Sequence, residues 1–539
     1  MIVSDGRKTA LALLFLALLA ILATTFALLP KTALATQQEE RPLLMIVVGF
    51  EGKGEGAVPY SNVYDWNEAL FSDEESLAAY YQEQSQGLFF LVPARETSAY
   101  KKKQNTNRAD RANDGIVHVK LDSTHHAWNL VNEDLGVKKD FDQTVMASFD
   151  AAQAFVNFDA YDENDDGRVT SDELVVIVCT SGYDASGLNQ AERDDLPLLW
   201  PHSGMIEGAT DGSNNAKPLP STYLAIAENF MREGDDPSDA QREPIGIIAH
   251  ELGHCLGLPD LYPLNDAPEQ DTWGAYKVGS LSLMARGAWA QVLDDKRGWV
   301  FRPTSLDPWS LTELGWLDPF VAEEDGDYHL YSRDSEMGFN VLLIPTTDSK
   351  QYFLLENRQP EGWDASLENT PASDGSSGGI VIWHVDASAC ERFGKDGQVN
   401  NTDHRPGIMP VFLERDRSGA FSSNWTTTTP DLELPFFSMT SIARSFGDAD
   451  ADIELSLYGS DEGEDTPAKR TYSGISIQVL SKSGKDMVVR VKQTGDAERA
   501  TPSSTRKPPL ALIAILIALC VAGAAVLALN EARRSSRRR

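Results

Sequence analysis

Two histidines and a glutamate in the stretch HELGH have the types and spacing that can bind and use a metal ion. His250 and His254 are four residues apart, so on a helix their imidazoles project from the same face. Zinc binds such nitrogens at about 2.0–2.1 Å. Glu251, directly after the first histidine, can hold a metal-bound water and accept its proton. The stretch therefore predicts a zinc site that performs hydrolysis with an activated water.

A catalytic zinc needs a third protein ligand and one open position. Asp260 is the candidate, because Gly257 lies just past the expected helix end and can turn the chain back through a positive φ. The complete pattern, HExxHxxGxxD, is far more specific than HExxH, which also occurs by chance in helices. A purely structural zinc has no need of a general base, so Glu251 favours a catalytic site.

The residues around this motif predict the helix that must carry it. Pro244 is of a type favoured at the first helical position, and Gly257 of a type favoured just past the last. Ile245, Ile248 and Leu252 have ordinary core spacing on the face away from the ligands. Cys255 falls on that apolar face, so we expect a small buried residue there rather than a metal ligand.

A second cation site is predicted at residues 162–173, DENDDGRVTSDE. The stretch fits the calcium-loop template, with oxygen ligands on alternate residues and Gly167 at the sharp turn. The predicted ligands are Asp162, Asn164, Asp166, Arg168 through its backbone carbonyl, Thr170 and Glu173. The alternative is an acidic, solvated turn. A buried strand is predicted next, so the loop is expected to be a structural clip rather than a paired helix–loop–helix sensor.

Several motifs together resemble the immune inhibitor A-type metalloproteases (peptidase family M six), relatives of the metzincins. In chain order they are AAYYQEQSQG, LWPHSG, IGIIAHELGHCLGLPDLY, VGSLSLMARGAW, LTELGW, YFLLENRQ and GGIVIWHVD. The resemblance covers about residues 43–386. It departs from the family at Pro263, where an aspartate is frequent, which leaves the following loop open.

The resemblance implies a role for each matching residue. His250, His254 and Asp260 match the zinc ligands, and Glu251 matches the general base. Met284 matches the Met-turn, a structural floor beneath the metal, and core packing alone would predict the same placement. Two further histidines in family-like motifs are interpreted as structural; they are His202 in WPH and His384 in WHVD.

Composition and patterning predict the domain organisation. The chain has 539 residues, 42% hydrophobic and 24% charged, which is ordinary globular composition. A formal net charge of −34 argues against a nucleic-acid partner, since phosphates would be repelled. The resemblance implies a metzincin-like catalytic domain at 42–320, and the short apolar runs that alternate with turns predict a β-rich, sandwich-like domain at 321–493, so we expect an α+β fold.

Both ends of the chain carry membrane signals. Residues 1–35 read as a secretory signal peptide, although an uncleaved anchor remains an alternative. A polar stalk at 494–509 leads to an uncharged apolar run at 510–529, long enough for a transmembrane helix. Five arginines in the tail at 530–539 mark the cytoplasmic side. The predicted location is the cell membrane, single-pass, with the ectodomain extracellular.

These patterns lead to one functional hypothesis, a membrane-anchored extracellular zinc endopeptidase with Zn²⁺ and Ca²⁺ as cofactors and protein or peptide substrates. Two alternatives stay open. One is a catalytically silent adhesion or binding protein on a protease fold, which the intact Glu251 disfavours. The other is a metal hydrolase of a non-protein substrate, which only the family resemblance disfavours.

Overall fold

The computed structural model describes residues 38–494 with internal gaps. The gaps are 53–56, 62, 98–110, 124, 126–137, 189–195, 211, 213–216, 263–277, 370–377, 394–398, 401–405, 412–413, 416–420, 423–436, 438–451 and 459–469. The predicted signal peptide, transmembrane helix and basic tail lie outside the described residues, as does all of the stalk after Thr494. Among the helices of the described residues, none is both long and apolar enough to cross a membrane.

An eight-stranded sheet forms the centre of the first region in the described part of the chain. Its strands are β1 (Glu39–Phe50), β2 (Phe89–Pro93), β3 (Ile116–Leu121), β4 (Val175–Asp184), β5 (Leu198–Leu199), β6 (His202–Met205), β7 (Thr222–Phe230) and β8 (Gln241–Arg242). Neighbours β2, β1, β4 and β7 run parallel, and β6 forms an antiparallel edge on β7. Both β1 and β4 are buried along most of their length, and β4 is the strand predicted to follow the loop 162–173.

Six α-helices lie within the described residues. They are α1 (Trp66–Phe71), α2 (Leu77–Gln84), α3 (Lys138–Ala152), α4 (Ile245–Cys255), α5 (Pro308–Glu313) and α6 (Ala387–Phe393). Shorter 3₁₀ turns occur at Phe158–Tyr161, Pro237–Asp239, Gly279–Leu281, Arg286–Trp289 and Gly362–Asn369. The motif AAYYQEQSQG forms α2, which Ser76 caps by accepting the N–H of Ala79. The helix ends at Gln84, and Gly87 follows with φ of +76°.

Helices cover both faces of the sheet. Successive side chains of a strand point to opposite sides, so β1 contributes to a core on each face. On one face, Leu43, Met45 and Val47 of β1 lie in the same core as Ile248 and Leu252 of α4. On the other face, Leu44, Ile46 and Val48 of β1 lie in the same core as Phe141 and Val145 of α3. Burial on both faces accounts for the nearly continuous apolar sequence of β1, as is typical of parallel strands.

The second region is β-rich, as predicted. After the hairpin of β9 (Gln291–Asp294) and β10 (Gly298–Phe301), a five-stranded sheet contains β11 (Phe320–Val321), β13 (Val341–Pro345), β14 (Gln351–Arg358), β15 (Gly379–Asp386) and β16 (Ile408–Pro410). A four-stranded sheet contains β12 (Gly326–Tyr331), β19 (Ile453–Tyr458), β20 (Arg470–Val479) and β21 (Asp486–Gln493). The described strands also include the pair β17 (Glu414–Arg415) and β18 (Phe421–Ser422).

The two regions share one continuous hydrophobic core, which holds α4 together with strands of both later sheets. A buried ion pair reinforces the contact, since Arg358 donates to Asp364 at 2.7 Å and to the carbonyl of Ser305 at 3.0 Å. Asp364 also accepts the N–H of Ser305 at 2.9 Å. The architecture is a mixed α+β fold, as predicted. The boundary at 320/321 stays a prediction, and β11 spans it.

Candidate metal centre

Three side chains converge beside the last turns of α4. Oδ1 of Asp260 lies 3.1 Å from Nε2 of His250 and 3.2 Å from Nε2 of His254. The ligand atoms of the three residues all lie within 4.8 Å of one another, and no other trio of His, Cys, Asp or Glu among the described residues meets this criterion. The structure thus brings together the three residues predicted as metal ligands.

Backbone carbonyls hold the second ring nitrogen of each histidine. Nδ1 of His250 lies 3.0 Å from the carbonyl oxygen of Leu283, and Nδ1 of His254 lies 2.8 Å from that of Leu258. A carbonyl oxygen can only accept, so each Nδ1 carries a proton and donates it. In the neutral imidazoles, both Nε2 atoms then direct lone pairs towards the carboxylate. Such contacts orient the rings and select the tautomer that binds a metal.

The donor set fits a divalent metal. With both imidazoles neutral, the buried Oδ1 of Asp260 receives no hydrogen bond from the described residues and faces the lone pairs of two ring nitrogens. Across a tetrahedral zinc with bonds of about 2.0–2.1 Å, neighbouring ligand atoms lie about 3.3 Å apart. The separations of 3.1 and 3.2 Å agree with that spacing. Three electron-pair donors facing one point are stable only with a positive charge between them.

The electrostatics of the centre favour that positive charge. Burial raises the pKa of Glu251, against the opposing effect of the two histidines. Burial also disfavours a charged His254, but the hydrogen bond and charge of Asp260 outweigh it and raise the pKa of His254 to about 9. The imidazoles in turn hold the pKa of Asp260 below its ordinary value despite its burial. The ligands thus compete for a proton where a metal ion would bind.

The turn after α4 returns Asp260 to the histidines. Pro244 stands one residue before the helix as its N-cap, so α4 begins at Ile245 rather than at the proline. Gly257 has φ of +97°, the left-handed conformation expected of a glycine past a helix end. Leu261, next to Asp260, donates its N–H to the carbonyl of Met284 at 2.8 Å. The third ligand is therefore positioned by the segment that lies beneath the helix.

Met284 packs directly against α4, where the Met-turn was expected. Its side chain is fully buried, and a Cβ placed on Gly253 would lie only 2.5 Å from its sulfur. The N–H of Met284 donates to the hydroxyl of Ser282, which donates to Asp307 at 2.7 Å. The sulfur is no member of the ligand trio, so its role here is packing.

Sequence reasoning missed the aromatic walls of the centre. The ring of Tyr262 stacks on His250 with centroids 6.0 Å apart and an angle of 20°, and Trp289 stands 5.7 Å from the same imidazole. The hydroxyl of Tyr81 donates to the carbonyl of Ala249, within α4, at 2.6 Å. All three residues lie in motifs that resemble the family, and this was the only indication in the sequence that they could be close to the metal centre. Their spacing alone predicts no role.

Two further buried acids lie near Glu251. Asp184 ends β4 and Glu243 precedes α4, and both are fully buried. Burial raises the pKa of Glu243, and the charge of Asp184 adds to this effect. A lone acid after a strand or before a helix is common in sequences, so no pattern singled these two out.

The first half of the loop 162–173 bends around backbone N–H groups. Asp162 accepts from the N–H of Gly167 at 3.0 Å, and Asn164 accepts from that of Asp166 at 2.8 Å. Gly167 has φ of +80°, the turn conformation that the template requires of a glycine. The local fold of the template is therefore present.

The second half of the same loop is also satisfied by protein groups. Glu173 accepts from the N–H of Thr170 at 3.0 Å and from that of Glu163 at 3.1 Å, and Arg168 donates its N–H to Asp166 at 2.9 Å. The acidic side chains do not gather into a trio of ligand atoms. Calcium binding by these residues stays a prediction.

The other residues that the sequence singled out lie away from the trio. His202 packs between Phe141 and Tyr223, and His384 lies 3.1 Å from the amide oxygen of Gln351 in the second region. Cys255 packs against the main core, and burial raises the pKa of its thiol to about 12. Neither histidine joins the metal centre, and Cys255 is partly buried against the core and is not a member of the ligand trio.

The region that contains the metal centre is similar to a known protein family. Residues 61–316 match the family model described as "Immune inhibitor A peptidase M6, catalytic domain". The predicted resemblance to the immune inhibitor A family is thereby confirmed. Peptidase M6 is a metallopeptidase family, which supports a protease function and agrees with a trio able to hold a metal.

Individual relatives match over smaller parts of their length. Immune inhibitor A of Bacillus thuringiensis subsp. alesti is 29% identical over 180 residues, which make up 32% of this chain and 23% of the relative. The match thus spans about a quarter of that relative. Two crystal structures of wild-type OgpA from Akkermansia muciniphila align at 14% and 15% identity, each with a TM-score of 0.26. Each covers 66% of this chain, and the alignments include 88% and 87% of the OgpA chains.

Proposed function

We propose that the chain is a zinc-dependent endopeptidase that hydrolyses peptide bonds with a metal-activated water. The observation that carries this proposal is the convergence of three lone-pair donors beside the buried carboxylate of Glu251. His250, His254 and Asp260 would hold the zinc. We further infer a metzincin-like fold for the catalytic region, for which the order of motifs around α4 is the support.

The chemistry divides between the metal and the chain. Zinc, when bound, supplies a Lewis acid that polarises a carbonyl and makes a water more acidic. Glu251 would accept a proton from the attacking water at its carboxylate and deliver it to the leaving amine. Its burial suits the task, because a raised pKa makes the carboxylate a stronger base. The carbonyls of Leu283 and Leu258 keep the ligand rings oriented throughout.

The location and the second cation are also part of the proposal. Membrane anchoring through residues 510–529 and an extracellular ectodomain rest on the apolar run and the arginines after it. Calcium in the loop 162–173 rests on the ligand template. The loop is proposed as a structural clip, since β4 follows it directly and its backbone is already fixed by hydrogen bonds.

The deciding experiment compares the wild-type chain with Glu251→Gln. Zinc content is measured by metal analysis, and turnover with an unfolded, fluorescently labelled protein. The wild type is expected to bind one zinc and cleave the substrate. The variant should retain zinc and lose about 10²- to 10⁴-fold in turnover, the usual contribution of a general base.

Two results would contradict the proposal. Zinc without proteolysis in the wild type favours either a silent binding protein or a hydrolase of another substrate. Unchanged turnover in Glu251→Gln removes that residue from catalysis. Thermal unfolding of both proteins serves as the control for folding, because an isosteric amide should leave the melting temperature nearly unchanged.

A further inference from the structure

A side chain of the loop 162–173 contacts the end of the metal-bearing helix. The hydroxyl of Ser171 donates to the carbonyl oxygen of Cys255 at 2.8 Å, although the two residues are 84 positions apart. Ser171 is only 8% exposed and is not one of the loop's predicted cation ligands. Because Cys255 directly follows His254, the contact falls one residue from a predicted metal ligand.

The carbonyl of Cys255 needs a partner from outside the helix. The last carbonyls of any α-helix lack intrahelical donors. In the turn after α4, the N–H of Gly257 donates to the carbonyl of His254 and the N–H of Leu258 to that of Gly253, both at 2.9 Å. These two bonds close the helix end but leave the next carbonyl, which Ser171 serves.

Ser171 is itself held in place by other elements. The guanidinium of Arg41, in β1, donates to the carbonyl of Ser171, and Arg41 is 6% exposed. Two residues earlier in the loop, the carbonyl of Val169 accepts the N–H of Ser221 at 2.8 Å and its hydroxyl at 3.1 Å. The position of Ser171 is therefore set by β1 and by Ser221, the residue before β7, independently of α4.

The same short turn orients a metal ligand. His254 donates from Nδ1 to the carbonyl of Leu258 at 2.8 Å, so a shift of the turn would rotate the imidazole. We propose that Ser171 is a positioning residue of the metal centre, whose hydroxyl holds the last turn of α4 so that His254 keeps its metal-binding orientation. This inference rests on the proposed function, because it assigns a role in the same centre.

The test measures metal binding by the full chain in matched serine variants. Ser171→Ala removes the hydroxyl, Ser171→Thr retains one, and Ser473→Ala is the control. Ser473 is similarly buried, at 5% exposed, and donates to the carbonyl of Leu455 at 2.7 Å within the second region. Zinc affinity is measured by competition with a chelator, and ligand geometry by the visible absorption of the Co²⁺-substituted protein. Melting temperatures report the loss of stability in each variant.

Ser171→Ala should bind zinc about 10- to 100-fold more weakly, the range for partners that orient metal ligands, with an altered Co²⁺ spectrum. Ser171→Thr should restore both, and Ser473→Ala should lose stability with normal metal binding. Wild-type affinity and spectrum in Ser171→Ala would overturn the inference while leaving the proposed function intact. An equal zinc defect in Ser473→Ala would also overturn it. A wild-type chain that binds no zinc overturns the proposed function itself.

Discussion

The ligand trio of His250, His254 and Asp260 and the loop 162–173 are both candidate cation sites. Their polar groups are satisfied differently. In the trio, Oδ1 of Asp260 has no donor among the described residues while the imidazoles are neutral, and both histidines are oriented by backbone carbonyls. In the loop, the carboxylates of Asp162 and Glu173 already accept backbone N–H groups. The trio therefore needs a positive charge, from a proton or a cation, whereas the polar groups of the loop are satisfied by backbone N–H groups.

The difference shows why two cation sites predicted from equally good motifs are not equally supported by the structure. A buried ligand set cannot be solvated, so its geometry alone reveals the demand for a positive charge. An exposed acidic loop can exchange protein hydrogen bonds, water and metal at little cost. Zinc at the trio should accordingly be a condition for function, and calcium at the loop an addition to stability.

The largest expected effect comes from replacing one acid by its amide at each site. Asp260→Asn removes a charged ligand, so zinc affinity should fall by more than about 100-fold, beyond the loss that outer partners cause. Glu173→Gln should leave zinc affinity unchanged. It should instead abolish a calcium-dependent rise in melting temperature, which for the wild type corresponds to about 2.7 kcal/mol at a calcium concentration of 100 times Kd.

Chelator competition for zinc and thermal unfolding with and without calcium provide the readouts. A loss of zinc in Glu173→Gln equal to that in Asp260→Asn would show that the two sites are not separate. If calcium does not change the melting temperature of the wild-type protein, the loop does not bind calcium.

Substitution of one glycine near each site should have a smaller effect and also compares the trio with the loop. Gly253→Ala places a methyl group 2.5 Å from the buried sulfur of Met284, so unfolding should become easier by about 1–3 kcal/mol with weaker zinc binding. Gly167→Ala has no atom within 4 Å of the new methyl group, but its φ of +80° makes any side chain cost about 1–2 kcal/mol. Denaturant unfolding gives both values. Normal zinc affinity in Gly253→Ala would refute close packing beneath the metal helix.

The pH dependence of zinc binding provides a further test of the trio. The pKa of His254 is raised from 6.5 to about 9 in the zinc-free protein, and a zinc ligand must be neutral. Binding at pH 7 should therefore release a proton from His254, and zinc affinity should rise by up to tenfold per pH unit until it levels off near pH 9. In the zinc-free protein the sign is opposite, since the protonated pair stabilises the fold below pH 6.5 and is lost as pH rises through about 9.

Calorimetry in buffers of different ionisation enthalpy counts the released protons. Zinc affinity that does not change between pH 7 and pH 9 would contradict the pairing of His254 with Asp260.

Much of the fold near the trio could be predicted because its signals are local. The apolar runs of β1 and β4, the bounds of α4 to within one residue at Pro244, and the left-handed Gly257 all follow from short-range preferences. The aromatic walls formed by Tyr262 and Trp289 could not be predicted. An aromatic residue in sequence is equally compatible with core packing, and only its neighbours in space distinguish the two.

The sequence by itself determined which atoms are available to bind a metal and how those on one helix are spaced, because a helical turn fixes His250 relative to His254. Only the tertiary structure decided how these atoms are held. The carbonyl of Leu283 that orients His250 lies 33 residues away, and Ser171, which reaches the end of α4, lies 84 residues from Cys255. Contacts over such separations depend on how strands and helices pack, and no local preference encodes them.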